Sequence, residues 1–309
     1  MRLMFYLSSH RHKDSMAFFF SALINILVMF SYSQQPRVIL VTGANKGIGF
    51  EVVKRLSNSN DVVLLGCRDP ERGNSALVRL GLPSNVHCLQ LDMSSGESIA
   101  QARNEIEHKY GGRLDILINN AACGDLELTV DSARRTFLVN YYGIKRLNEC
   151  LFPLIQENGR IINVASTCGC VVLSEASKHL QNQYSSSTLT TDQLDQLVED
   201  FISSIETNTI EQLGYNPQSL YLVYSVSKAA VIALTRIAAR QWSSARKILV
   251  LSVCPGFCAT DMNQNASGGR HPKFGAESIL YLVHTDENKL ENGGFYRDGQ
   301  QLAQIGRVD

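Results

Sequence analysis

Tyr224 and Lys228 stand four positions apart in Tyr224-Ser-Val-Ser-Lys228, a spacing that puts two side chains on one face of a helix. A free phenol has a pKa of roughly 10 and exchanges protons poorly at neutral pH. A lysine ammonium one turn away is expected to stabilise the phenolate and draw that pKa toward the working range. Such a phenol can give a proton to a carbonyl oxygen, or take one from an alcohol, if a hydride carrier lies beside it. The spacing alone is weak evidence, because any long helix can carry it. Its weight depends on what else the chain brings to the same place.

A hydride carrier needs a cradle, and the segment that begins at Arg37 has the form of one. Arg37-Val-Ile-Leu-Val-Thr42 is an unbroken apolar run, the pattern of a strand covered on both faces. It leads into Thr42-Gly43-Ala44-Asn45-Lys46-Gly47-Ile48-Gly49 and then an amphipathic stretch over 50–57. Strand, glycine turn and helix in that order suit a phosphate. Gly43 permits the tight turn, Gly47 lets backbone approach a pyrophosphate, Gly49 lets helix and strand pack closely, and the helix N-terminus faces the anion. Residues 61–67 read as a second strand that ends at Arg68. A carboxylate there would hold a ribose 2′-hydroxyl and select NAD. Arg68, with Lys46 in the loop, instead offers two cations to a 2′-phosphate, which favours NADP.

Further strands are expected over 86–91, 114–121, 160–166 and 247–253, with a last one over 293–298. Helices fall between them, including a long one over 130–154 that contains Asn140. Asp92 follows the third strand, at a position suited to an adenine amine. This alternation implies right-handed crossovers and a doubly wound parallel sheet, a Rossmann fold of the α/β class. Ligands bind such sheets at the C-terminal edge. The glycine turn, Asn119 at the end of the fourth strand and Ser166 at the end of the fifth all fall on that edge.

The charges balance, 29 Lys+Arg against 29 Asp+Glu, so no net field favours nucleic acid or an anionic membrane. An apolar fraction of 44% allows a sizeable core. The eight cysteines (67, 88, 123, 150, 168, 170, 254 and 258) lack the paired spacing of a zinc site and read as free thiols in a reducing compartment. Residues 1–35 are set apart as an N-terminal extension: Arg11-His-Lys13 precedes an apolar run from Met16 to Phe30. A signal peptide, a signal anchor and an upstream extension with Met16 or another start in use all fit that pattern. At 15 to 17 residues the run is short for a spanning helix. Membrane contact is therefore expected only through residues 16–32, if they are retained. The chain reads as cytoplasmic, with anchoring at the endoplasmic reticulum as the alternative.

Taken together, these motifs resemble the short-chain dehydrogenase/reductase family, and within it the NADPH-dependent carbonyl reductases. The resemblance runs from Arg37 to the C-terminus and rests on Thr42–Gly49, Asn119-Asn-Ala121, Asn140, Ser166, Tyr224-x-x-x-Lys228, Pro255-Gly256 and Thr260-Asp261. It implies one Rossmann-fold domain over 36–309, binding NADPH and reducing small apolar aldehydes, ketones or quinones. Tyr224 would be the general acid and Ser166 would align the carbonyl. Lys228 would lower the Tyr224 pKa and hold the nicotinamide ribose, while Asn140 would distort its helix and position a relay water. Gly43, Asn45, Lys46, Gly47, Ile48, Gly49, Arg68, Asp92 and Asn119 would contact the cofactor with Tyr224 and Lys228. Pro255, Gly256 and Thr260 would line its nicotinamide. An alcohol dehydrogenase acting on a steroid, retinoid or prostaglandin, and a non-catalytic NADP-binding redox sensor, are the competing readings.

Two departures from the family pattern stand out. Ala122 replaces a usual glycine after Asn119-Asn-Ala121, adding a methyl near the cofactor. Ser166 and Tyr224 lie 58 positions apart, where a dozen or so is usual. The excess lies between about 174 and 217, with helices expected over 175–184 and 191–208. Leu194, Leu197, Phe201 and Ile205 form an apolar stripe on the second. In the carbonyl reductase branch a similar insertion covers the helices that other members use to form tetramers, so the resemblance implies a monomer. Residues 263–275, rich in Gly, Asn and Ser, are expected to form a mobile flap over an apolar substrate. Cys168, Phe257 and Met262 are candidates for the substrate wall, with plain core packing an equal alternative.

Overall fold

The computed structural model describes residues 35–305, apart from 125–126 and 244–245; the N-terminal apolar run lies outside the described residues. From Arg37 onward the chain is one compact unit built on an eight-stranded sheet in the order β3-β2-β1-β4-β5-β6-β7-β8. The strands are β1 (Val38–Thr42), β2 (Val62–Cys67), β3 (Val86–Gln90), β4 (Leu114–Asn119), β5 (Ile155–Val164), β6 (Leu249–Val253), β7 (Phe295–Arg297) and β8 (Gln300–Leu302). Every pairing is parallel except β7 with β8. The strand order reverses beside β1, whose neighbours are β2 and β4. A crevice opens at such a switch point above the strands' C-terminal ends.

Helices cover both faces, which explains the lack of polar alternation in β1: all five of its residues are buried. Val38 and Leu40 face one core, Ile39 and Val41 the other. Helices α1 (Gly47–Leu56), α2 (Pro70–Arg79) and α11 (Pro272–His284) supply side chains to the second core. The first packs against α3 (Gly96–Lys109), α4 (Val130–Phe137), α5 (Ile144–Leu151), α6 (Thr167–Ser174), α7 (Lys178–Ser185), α8 (Thr191–Glu206), α9 (Ile210–Leu213) and α10 (Leu222–Ser243). Helix α10 is long and apolar enough over Leu222–Trp242 to cross a bilayer, yet 89% of that window is buried inside the fold. It is the central helix of the first core.

Several boundaries differ from expectation for local physical reasons. The expected long helix over 130–154 is broken by a π-helical segment at Leu138–Gly143 and ends in a 3₁₀ turn at Phe152–Leu154. Strand β5 begins earlier than 160, through an irregular start with Asn158 at φ 63° and a register shift against β4. Helix α6 has little helical propensity in its sequence. It forms where α10 packs close: a Cβ on Gly169 would lie 2.6 Å from the Ala229 nitrogen. Helix α7 starts at Lys178, where the Ser177 hydroxyl caps it. Strand β8 is a three-residue polar edge that no hydrophobic pattern announces.

The inserted segment is helical and packed. Helix α8 opens with a capping box made by Thr190 and Gln193, and buries Leu194, Leu197, Val198, Phe201 and Ile202. Phe201 lies 5.9 Å from the Phe137 ring and 5.1 Å from that of Tyr215, centroid to centroid. Arg236 of α10 donates to the carbonyls of Tyr184 and Ser185 at 2.8 Å each, fastening α7 to the central helix.

Candidate active site

Tyr224 lies in the first turn of α10 and Lys228 one turn further in. Tyr224 is half-buried and Lys228 is fully buried. The Lys228 Nζ sits 5.6 Å from the Tyr224 ring centroid and donates to the Val164 carbonyl at 2.8 Å. Ser166 follows β5 as the N-cap of α6, its hydroxyl accepting from the Cys168 N–H at 3.2 Å and also engaging the Tyr224 phenol. The structure thus brings Tyr224, Lys228 and Ser166 together at the C-terminal edge of β5.

Asn140 joins them through the loop after β4. Its Nδ2 donates to the Cys123 carbonyl at 2.9 Å and to the Ser227 Oγ at 3.1 Å, and its Oδ1 accepts from the Cys123 N–H at 2.9 Å. Ser227 in turn donates to the Tyr224 carbonyl at 2.7 Å. The expected helix distortion is present, as Asn140 lies in the π-helical segment. Its side chain is nearly saturated by protein partners, with one Oδ1 lone pair left over.

The electrostatics differ from the expectation that Lys228 lowers the Tyr224 pKa. Burial pushes the phenol well above its ordinary value, and the nearby thiols of Cys168 and Cys254 add to the rise. Lys228 is itself brought down to about 8, burial being the dominant cause. In this pair desolvation outweighs attraction, so Tyr224 is a neutral, protonated phenol across the physiological range. The three thiols around the pair, Cys123, Cys168 and Cys254, are neighbours that sequence spacing gave no means of finding. All eight cysteines are free, and no metal-binding cluster occurs among the described residues.

The glycine turn has the form a pyrophosphate cradle needs. Gly43 and Gly47 adopt φ 62° and 58°, conformations that L side chains rarely adopt. A Cβ on Gly43 would lie 2.8 Å from the Ala121 Cα. Asn120 pins the turn, its Nδ2 donating to the Thr42 carbonyl at 2.9 Å, while the Thr42 hydroxyl accepts from the N–H groups of Asn120 and Ala121. Thr42 and Asn120 are therefore supporting residues that the motif reading passed over. Helix α1 has no side-chain cap and no acid in its first turn, which leaves its N-terminal N–H groups and Ile48 at the disposal of an anion.

The structure gives the other predicted contact residues partners of their own. The Asn119 side chain does not face the crevice. It is buried and donates to Asn148 Oδ1 and Asn163 Oδ1, both at 2.7 Å, so only its backbone reaches the sheet edge. The reason is the pleat: Asn119 points into the first core, and Asn120 toward the glycine turn. Lys46 is not a free cation, because its Nζ pairs with Asp261 at 2.9 Å. Arg68 is exposed, with no hydrogen bond or ion pair among the described residues. The Asn45 carbonyl accepts from Arg79, whose guanidinium also lies 4.5 Å from the Phe50 ring centroid. Asp92 uses Oδ1 to hold both the N–H and the hydroxyl of Ser94, at 2.9 and 2.7 Å.

The segment after β6 closes the other side. The Pro255 carbonyl accepts from the Arg270 Nε at 3.0 Å, and Arg270 also pairs with Asp298 at 2.8 Å. Gly256 adopts φ 73°, and a Cβ there would meet the Arg270 guanidinium at 2.7 Å. Thr260 caps a 3₁₀ turn at Asp261–Asn263, and its methyl lies 3.5 Å from where a Gly47 Cβ would be. Arg270 therefore fastens one end of the segment that the sequence reads as a mobile flap, and residues from Pro272 on belong to α11. Met262 approaches Gly124, which lies beside the Tyr224 ring, and Phe257 is 56% exposed.

Comparison with known proteins agrees with this architecture. The family model for short chain dehydrogenases matches residues 37–194 and 201–270. Among curated proteins, NADPH carbonyl reductase 3 of Rattus norvegicus is 37% identical over 279 residues, covering 86% of this chain and 98% of that protein. The (+)-neomenthol dehydrogenase of Capsicum annuum is 33% identical, covering 84% and 96%. Among solved structures, salutaridine reductase from Papaver somniferum superposes with a TM-score of 0.76 at 29% identity, over 84% of this chain and 99% of that one. The chain belongs to the short-chain dehydrogenase family and has the family's α/β fold.

Proposed function

We propose that this protein is an NADPH-dependent carbonyl reductase that converts apolar aldehydes, ketones or quinones to alcohols, with Tyr224 as general acid. The observation that carries the reading is the convergence of a protonated Tyr224 phenol, the Ser166 hydroxyl and the buried Lys228 ammonium at one sheet edge. That edge also holds the glycine turn. The match to NADPH carbonyl reductases over nearly the full length of both chains supports NADPH as the cofactor.

Bound NADPH supplies the hydride. Residues 43–49 and Arg68 would hold its phosphates and Asp92 its adenine, and the segment from Pro255 to Thr260 would line the nicotinamide. Ser166 and Tyr224 hydrogen-bond the substrate carbonyl oxygen and orient it. As negative charge develops on that oxygen, Tyr224 delivers its proton, and the Lys228 ammonium stabilises the phenolate left behind. A phenol pushed up by burial suits this direction, since it is loaded with its proton before the carbonyl arrives. Asn140 ties the loop after β4 to α10, and its one open lone pair can hold a water that reloads the relay. Met262 and Phe257 give the mouth an apolar wall. The inserted helices α7 to α9 cover α4 and α10, which fits a monomer.

Replacing Tyr224 with Phe tests the reading, because it removes one oxygen from an otherwise unchanged ring. NADPH oxidation with a panel of quinones and aromatic ketones should slow by about 10²–10⁴-fold, while NADPH binding, followed by its fluorescence, stays as in wild type. Comparable turnover by the variant would overturn the assignment. So would a wild-type protein that binds NADPH and reduces nothing in the panel.

A further inference from the structure

Helix α8, which belongs to the insertion, holds the π-helical segment that carries Asn140 at two points and the helices flanking it at two more. Asp195 accepts from the Tyr141 hydroxyl through Oδ1 at 2.7 Å, and its Oδ2 is paired with Lys145. One turn along α8, Glu199 accepts from the Tyr142 hydroxyl through Oε1 at 2.6 Å, and its Oε2 lies 4.0 Å from Arg134. Arg134 precedes the π segment in α4 and Lys145 follows it in α5, while Tyr141 and Tyr142 are the two residues directly after Asn140. Two carboxylates spaced i, i+4 therefore bracket the segment from both sides and from within.

A π turn is a rare departure from the α-helix, and one at a functional position calls for a local cause. The described backbone offers it no proline or cap. What fixes it is external: Tyr141 is fully buried, and both tyrosines are kept as protonated donors, pushed up by burial and by the carboxylates they bond. Reversion to an α-turn would rotate Asn140 away from Cys123 and Ser227.

We propose that Asp195 and Glu199 are positioning residues of the active site, acting as a splint that holds Asn140 in register with the loop after β4 and with α10. The inserted helix thereby contributes to catalysis without touching substrate or cofactor. This inference rests on the role proposed above for Asn140, which is why the test includes Asn140 itself.

The experiment compares four variants of the whole chain: Asp195→Ala/Glu199→Ala, Glu199→Gln, Tyr142→Phe and Asn140→Ala. Each is assayed for thermal unfolding, NADPH affinity, kcat, KM and the pH dependence of kcat. The double alanine variant should lower kcat by about tenfold, with KM and NADPH affinity within about twofold of wild type. Tyr142→Phe should give a smaller loss of the same kind. Glu199→Gln, which keeps an acceptor for Tyr142, should stay close to wild type. Lys228 is faced by Tyr224 and by Cys123, Cys168 and Cys254. Once the Asn140–Cys123 contact loosens and water enters, the alkaline limb set by Lys228 should move upward in pH. A merely structural α8 would lower the melting temperature and leave kcat per folded molecule and the alkaline limb where they were, and that result overturns the proposal. If the double variant does not fold, Tyr142→Phe alone is measured in the same ways and decides the question on the same terms. A slow Asn140→Ala beside a wild-type double variant rejects the splint only. A fully active Asn140→Ala rejects both the splint and the role given to Asn140.

Discussion

Around Tyr224 and Lys228 the polar atoms have protein partners at fixed distances, whereas around Lys46 and Arg68 the charges face solvent. The first region lies at the buried end of α10, with Lys228 bonded to Val164 and Asn140 bonded to Cys123 and Ser227. The second has an exposed ion pair, Lys46 with Asp261, at side-chain exposures of 57% and 61%, and the lone guanidinium of Arg68. The contrast follows from who supplies the counter-charge. Groups that move a proton must be desolvated and oriented in advance, because their strength depends on a low local dielectric. On the reading proposed above, Arg68 would receive its partner with the cofactor, whereas Lys46 already holds Asp261 and would have to exchange one partner for another. Preorganisation on one side and availability on the other share one crevice.

Replacing Lys228 with Met probes the buried side where the expected effect is largest. Burial holds the Lys228 pKa at about 8, below its ordinary 10.5. Between those values the unfolded chain keeps a proton that the folded chain has released, so stability rises with pH through that window. Below it the full penalty is present, about 3 kcal/mol at 1.36 kcal/mol per pKa unit. Lys228→Met removes that penalty and loses the charged bond to Val164, which is worth about 1.5–3 kcal/mol. Chemical denaturation at pH 7 should show a stability equal to wild type or higher by up to about 1.5 kcal/mol, while carbonyl reduction falls by two orders of magnitude or more. In the wild type, kcat/KM for reduction should fall as pH rises through about 8. A variant less stable than wild type at pH 7 would mean that this side is less desolvated than its burial implies.

Arg68→Asp tests the open side, with a smaller expected effect. Removing a charge-assisted phosphate contact is worth about 1.5–3 kcal/mol, so the apparent constant for NADPH should rise by about tenfold or more. The constant for NADH, which lacks the 2′-phosphate, should improve or hold. Equal losses with both cofactors would place the 2′-phosphate elsewhere and blur the distinction between the two regions.

How far these regions are legible in the sequence follows the same division. Tyr224, Lys228 and the glycine turn announce themselves because their spacing is fixed by helix and turn geometry, which is local. The parallel, doubly wound sheet and its ligand-binding edge follow from alternation and handedness, which are nearly local. The direction of the Asn119 side chain is not legible, because a strand's end names the position but not the face. Asn119 turns into the core toward Asn148 and Asn163, while Asn120 pins the glycine turn. The rise in the Tyr224 pKa is hidden for a related reason: i, i+4 spacing reports proximity to a lysine but not desolvation of both groups. Helix α6 goes unannounced because α10, sixty residues later in the chain, is what makes Thr167–Ser174 helical. Distant contacts decide each of these three cases.

The smallest effect distinguishes an open cradle from one that is merely solvent-facing. Lys46 and Asp261 join the glycine turn to the segment after β6, and the Thr260 methyl faces Gly47 beside them. The Asp261 carboxyl is held below its ordinary pKa by Lys46, so the pair is charged at neutral pH. An exposed pair of this kind adds little to stability, but it engages a cation proposed above to meet a phosphate. Asp261→Asn should leave the melting temperature unchanged and lower the apparent NADPH constant by about twofold to threefold, because Lys46 no longer has to leave a partner before it meets the phosphate. The gain should shrink as salt is raised, since added ions screen the competing pair in the wild type. A weaker NADPH constant in Asp261→Asn would show that the pair closes over the bound cofactor, and that this side of the crevice is also built in advance.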